Sequence, residues 1–149
     1  MIYVSTGGFR SQNAFDTAQY LKGANINSIE LSGGLYLDNQ LESLKSIKKS
    51  TKFMVHNYFP PSKDPFVLNL ASLNKDVATK SYDHVIKAMR WAVELDNPNY
   101  SFHAGFLVDP NVKELGKKVK NRKLFNREEA LHVFIDRLNM LSIIAGKMG

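Results

Sequence analysis

At 149 residues, with 44% hydrophobic and 23% charged side chains, the chain has the composition of an ordinary globular domain, and we expect one domain over residues 1–149. No run approaches the roughly 18 consecutive apolar residues of a membrane-spanning helix, and the first residues show no basic-then-apolar leader, which predicts a cytoplasmic protein without a membrane partner. The absence of cysteine excludes disulfides, thiolate metal sites and cysteine nucleophiles, and the formal charge of +6 falls largely in two clusters, Lys45/Lys48/Lys49 and Lys113/Lys117/Lys118/Lys120/Arg122/Lys123, which we read as solvated surface.

Short apolar runs alternate with longer helical patterns, the signature of βαβ units in an α/β fold with a parallel sheet. The first strand is predicted over Ile2 to Ser5. Thr6-Gly7-Gly8 follows, then a helix from Asn13 to Lys22 with Ala14, Ala18 and Leu21 on one face and Gly23 closing it. The second strand is predicted over Ser28 to Leu31. Gly33-Gly34 leads to a helix over Asn39 to Lys48, with Leu41, Leu44 and Ile47 at helical spacing and a lysine-rich end that suits the helix dipole.

The third strand, Lys52 to His56, runs into Asn57-Tyr58-Phe59-Pro60-Pro61, and the prolines end it. A long helix from Asp76 to Leu95 follows, with Val85, Ile86, Met89 and Val93 as its apolar face. The fourth strand is predicted over Tyr100 to His103. After it comes a loop from Ala104 to Phe125, long enough to be a lid. Asn126, with Glu128 and Glu129 behind it, starts a final helix to about Ala145 with Leu131, Phe134, Ile135, Leu138 and Leu141 inward.

Side-chain alternation places Ile2, Val4, Ile29, Leu31, Phe53, Val55 and Phe102 toward a helix layer. Tyr3, Ser5, Ser28, Glu30, Met54, His56, Ser101 and His103 then face the other way. That second face is largely polar. A sheet covered by helices on both faces is near-continuously apolar, so a doubly wound fold fits poorly and the interior of a TIM-type barrel fits better, with four βα units making half of the usual eight.

Active sites of such barrels form at the C-terminal strand ends, which here carry Ser5, Glu30, His56 and His103. Neighbouring parallel strands lie about 4.8 Å apart, so two imidazoles closing consecutive strands can share a divalent metal, with Zn²⁺, Mn²⁺ or Co²⁺ suiting a donor set without sulfur. Glu30 is the candidate catalytic carboxylate, because a carboxylate on an inward face is paired or used. Ser5, Asn57 and Tyr58 are candidates for substrate hydrogen bonds. His84 and His132, inside predicted helices, are read as structural or surface residues.

The segments Ser28-Ile-Glu-Leu-Ser32, Val55-His-Asn-Tyr-Phe-Pro-Pro61, Pro65-Phe-Val-Leu-Asn-Leu-Ala-Ser72 and Phe102-His-Ala-Gly-Phe106 resemble the xylose isomerase-like TIM barrels, a group of sugar and sugar-phosphate isomerases and epimerases that also includes the endonuclease IV-like proteins. The resemblance runs over the whole chain and implies that His56 and His103 are metal ligands, with Zn or Mn as the metal. It implies proton abstraction beside a carbonyl of a sugar or sugar phosphate, a metal polarising the oxygen and a carboxylate acting as base. In the endonuclease branch the metals would activate water against a phosphodiester of abasic DNA. No interleaving of aromatic and basic residues suggests a nucleic-acid groove, so the sugar-type branch is preferred.

The family's remaining ligands belong to later strands, so the resemblance covers the N-terminal half of the fold and leaves the metal site of a single chain incomplete. Four strands of a barrel have unpaired edges, which predicts a homo-oligomer, a partner supplying the C-terminal half, or a truncated barrel of roughly 250 residues. A half barrel that is catalytically silent and works through assembly is the alternative to an enzyme.

Overall fold

The computed structural model describes residues 2–9, 12–119 and 123–149. Lys120 and Arg122 of the second basic cluster lie outside the described residues. By backbone contacts the chain divides into two compact units. One consists of Met1–Lys63, Lys87–Phe102 and Gly149; the other of Asp64–Ile86 and His103–Met148.

The first unit holds a four-stranded parallel sheet in the order β1-β2-β3-β4, with β1 Val4–Ser5, β2 Ser28–Leu31, β3 Lys52–His56 and β4 Tyr100–Ser101. Consecutive parallel strands require crossover connections, and here these contain the helices α1 (Ala14–Gly23), α2 (Gln40–Ile47) and α3 (Lys75–Glu94). The chain is therefore α/β, as the alternating pattern predicts.

The outer strands are shorter than expected. Ile2 is 87% exposed and takes no part in β1, so it adds nothing to the buried face. At the other edge β4 stops at Ser101, and the half-buried Phe102 stacks on Tyr100 at 5.5 Å between ring centres instead of continuing the ladder.

The core of this unit is one face of the sheet against its helices. Ile29, Leu31, Phe53 and Val55, the inward residues of the two central strands, are buried with Ala14, Ala18 and Leu21 of α1 and Leu44 of α2. Leu41 and Ile47 pack against this cluster from its edge. Ala88 and Ala92 of α3, with Leu95 beyond its end, complete the cluster, and Phe59 meets Trp91 edge to face at 5.7 Å. The predicted apolar face of α3 is thus partly corrected: Val93 is 39% exposed, and small alanines face the core.

Local signals set the helix ends. Asn13 caps α1, its Oδ1 accepting from the Asp16 amide at 2.9 Å while its Nδ2 donates to the Asp16 carboxylate at 2.7 Å. Gly23 is the last helical residue, and the left-handed conformation that ends the turn belongs to Asn25, at φ 62°. Buried Gln40 accepts from the Ala14 amide at 3.3 Å and so ties the start of α2 to the start of α1. The lysines at the C-terminal end of α2 and just beyond it are ion-paired: Lys45 meets Glu94 at 2.9 Å, and Lys48 meets Asp96 at 2.9 Å. Beside Lys45 the Glu94 carboxyl is held below its usual range, chiefly by that hydrogen bond.

The second unit contains the N-terminal part of α3, the segment 103–126 and α4 (Arg127–Met148). The expected start of α4 is present, with Asn126 Oδ1 accepting from the Glu128 and Glu129 amides at 2.9 and 3.1 Å. Its expected inward face is not. Only Ala130 and Leu141 of α4 are buried, whereas Leu131, Ile135 and Leu138 are 53%, 45% and 39% exposed, because no described residue covers that stripe. His84 is buried in this unit against Phe66, and His132 sits on the surface 3.3 Å from Asp136, in line with the structural reading of both. Among the described residues no helix is long and apolar enough to cross a membrane.

Candidate functional site

Register decides which side chains share a face of the sheet. Ser5 pairs with Glu30 and Glu30 with Met54, while His56, two residues beyond Met54, pairs with Ser101. Paired residues of parallel strands project to the same side, and residues two apart do so as well. Ser5, Glu30, Met54, His56 and Ser101 therefore line the face opposite the core, as the alternation predicts. Ser5, Glu30, Met54 and His56 are half-buried and Ser101 is exposed.

The turn after β3 is fixed by several hydrogen bonds. His56 Nδ1 lies 2.9 Å from Ser101 Oγ, and the Asn57 amide donates to the Ser101 carbonyl at 2.6 Å. Tyr100 donates its hydroxyl to the Asn57 carbonyl at 2.7 Å, and burial pushes that phenol well above its ordinary pKa, so it remains a proton donor. Asn57 takes a left-handed conformation, φ 46°, which asparagine tolerates better than most residues. The outcome is a histidine whose ring orientation is set by the neighbouring strand.

At the ends of β1 and β2 two short hydroxyl and glycine segments meet. Ser5 Oγ and Ser32 Oγ are 2.5 Å apart, and both accept from the Gly7 amide, at 3.2 and 3.1 Å. A Cβ at residue 7 would lie 2.8 Å from Ser32 Oγ, so glycine permits this approach. Ser5, a candidate for substrate binding, thus spends part of its hydrogen-bonding capacity inside the protein. Asn57 and Tyr58 follow His56 and are half-buried. Glu30 makes no hydrogen bond or ion pair among the described residues.

His103 belongs to the second unit, where it is exposed. The segment that follows it is clasped by Asn69, a residue that sequence reasoning does not single out. Asn69 is fully buried. Its Oδ1 accepts from the Phe106 amide at 2.9 Å and the Ala71 amide at 3.1 Å. Its Nδ2 donates to Asp109 Oδ1 at 2.7 Å and to the Phe106 and Val108 carbonyls at 3.1 and 3.3 Å. Ser81 Oγ accepts from the Asn69 backbone amide at 2.9 Å.

The network extends further. Ser72 donates to Asp109 Oδ2 at 2.6 Å, and Arg137 of α4 donates to the Leu70 and Ser72 carbonyls at 2.6 and 2.8 Å. Burial lowers the pKa of Arg137, and the Asp109 carboxylate opposes that shift. The expected lid is in this part a structured strap, with a single helical turn at Val112–Glu114 capped by Asn111, and with Phe125 donating back to Leu107 at 2.8 Å. The only trace of this clasp in the sequence is the segment Asn69-Leu-Ala-Ser72, which carries the resemblance without showing what the asparagine holds.

No family model, curated protein or solved structure matches this chain. Among the described residues no three His, Asp or Glu side chains gather as a metal site.

Proposed function

We propose that the four βα units correspond to the N-terminal half of a TIM-type barrel of the xylose isomerase-like kind, and that the protein serves a metal-dependent isomerase or epimerase acting on a sugar or sugar phosphate. The observation that carries this reading is the shared polar face of the sheet, on which Ser5 pairs with Glu30, and His56, two residues beyond Glu30's partner Met54, follows on the same side near the C-terminal strand ends. Strand order β1-β2-β3-β4 with a helix in each crossover is the order of half a barrel, and it supports the same assignment.

The donor chemistry fits a divalent ion such as Zn²⁺ or Mn²⁺, with His56 and His103 as ligands. Ser101 engages Nδ1 of His56 at 2.9 Å, and an outer partner on one ring nitrogen is the usual support for a metal-binding imidazole. The ion would polarise a substrate carbonyl. Glu30 is the carboxylate assigned to hold the proton removed beside that carbonyl, and Asn57, Tyr58 and the Ser5 hydroxyl are assigned to orienting the sugar. With two imidazoles the described residues give fewer ligands than the three that catalytic zinc sites take from protein, so further ligands must come from other strands or another chain.

Elemental analysis after exhaustive dialysis against zinc or manganese tests the metal. We expect about one bound ion per complete site, lost in both His56→Ala and His103→Ala. A wild-type protein that retains no metal would end this reading.

A second reading has its own support. Leu131, Ile135, Leu138 and Ile143 of α4 are 39–63% exposed, and exposed apolar side chains grouped on one element are a feature of association surfaces. We propose that this surface is covered by association, with a second copy of the chain or with a polypeptide supplying the remaining strands, in a half barrel that works through assembly. Light scattering at micromolar concentration is expected to give more than the mass of one chain, and a well-folded monomer would count against it. An endonuclease-like role has less support, since Lys45 and Lys48 of the first basic cluster are paired with Glu94 and Asp96 and the sequence shows no interleaving of aromatic and basic residues.

A further inference from the structure

We propose that Asn69 is a positioning residue for His103: its buried amide fixes the backbone from Gly105 to Asp109 and thereby sets where the histidine two residues upstream is presented. The proposal rests on the reading of His103 as a metal ligand, and its geometry lies wholly within the second unit.

Asn69 makes five side-chain hydrogen bonds, two accepted and three donated, and four of them go to the segment Phe106 to Asp109. An amide of this size combines a carbonyl acceptor with two N–H donors, which a hydroxyl with its single donor cannot match. Aspartate would place a carboxylate against the Phe106 and Val108 carbonyls and the Asp109 carboxylate. Alanine would leave buried backbone groups without partners.

The clasp is also tight. A Cβ at Gly105, whose φ is +128°, would stand 2.6 Å from Asn69 Oδ1 and 3.1 Å from both Ala71 Cβ and Ala71 N, so the chain passes His103 by only two residues before it is locked. From there Ser72 and Asp109 connect the lock to Arg137 on α4. A histidine held this close to an immobile backbone has fewer orientations open to it than one on a free loop. The conformational entropy lost on ligation is correspondingly smaller.

The experiment uses the full chain and compares Asn69→Ala with Ser81→Ala. Removing the Ser81 hydroxyl takes away a hydrogen bond of the Asn69 backbone but leaves the side-chain clasp in place. In metal-free protein, the ring resonances of His103 are expected to be sharp and dispersed in the wild type and in Ser81→Ala, and to move to averaged positions in Asn69→Ala. Amide exchange at Ala71 and Phe106 accelerates in the same variant. Zinc affinity is expected to fall about 10- to 100-fold in Asn69→Ala, the usual size of an outer-shell effect, and to stay within about twofold of wild type in Ser81→Ala.

His103 resonances unchanged by Asn69→Ala would overturn the positioning role, whatever the protein does with zinc. An equal loss of zinc affinity in Ser81→Ala would reduce Asn69 to general stability and overturn it too. Failure of the wild type to take up zinc, with His103 nonetheless released by Asn69→Ala, would overturn the step from backbone clasp to metal ligand and identify the metal reading as the fault.

Discussion

Phe53→Ala is expected to be the most damaging truncation in the first unit, lowering stability by about 3–5 kcal/mol. Phe53 is 1% exposed at the middle of the buried face, between Ile29 on the paired strand and the cluster formed by α1, α2 and α3. Removing the ring leaves a void among side chains drawn from every helix of the unit, and these cannot all move inward together. A domain of this size has a total stability of roughly 5–15 kcal/mol, so the variant is expected to lose a large fraction of it. Urea titration followed by tryptophan emission reads the loss, because Trp91 packs against Phe59 in the same cluster. Met54→Ala, one residue along on the polar face, is expected to cost only about 1 kcal/mol, since that side chain is half-buried. Equal losses at the two positions would contradict the division of the sheet into a core face and a site face.

That division was legible in the sequence because its cause is local. A strand alternates with a period of two, and Ile29, Leu31, Phe53 and Val55 keep that period without interruption. The same period places their polar neighbours Glu30 and His56 on the opposite face, where the register has them. Helix ends were legible for the same reason, with Asn13 and Asn126 acting on amides two or three residues away.

Legibility failed where the cause is tertiary. Val93 and Leu131 have the spacing of an inward stripe, but burial depends on what lies opposite, and that is not written in the helix itself. Ile2 and Phe102 extend strand patterns that the ladder does not use, because an edge residue gains little from pairing on one side. Asn69 was invisible as a clasp for a similar reason. Four of its five side-chain hydrogen bonds reach 37 to 40 residues along the chain, and a buried asparagine has no periodic signature.

Gly105→Ala carries the second large effect, and it arises from geometry rather than lost burial. Two costs combine at this position. The backbone holds φ at +128°, a region that residues with a Cβ rarely enter, at a cost of about 1–3 kcal/mol. The new methyl group would also press on Asn69 Oδ1 at 2.6 Å and on Ala71 at 3.1 Å, and relieving such overlap in a packed interior costs about 1–3 kcal/mol more. We therefore expect a loss of about 4 kcal/mol, read as a fall in thermal midpoint of roughly 8–16 °C. Gly146→Ala is the opposing control in the same unit. It lies inside α4 with nothing within 4 Å of its added Cβ, and there alanine is expected to stabilise by roughly 0.5–1 kcal/mol through its better helix propensity. If both alanines shifted the midpoint by similar small amounts, the segment after His103 would not be clamped against Asn69, and the rigidity that makes this histidine a credible ligand would be gone.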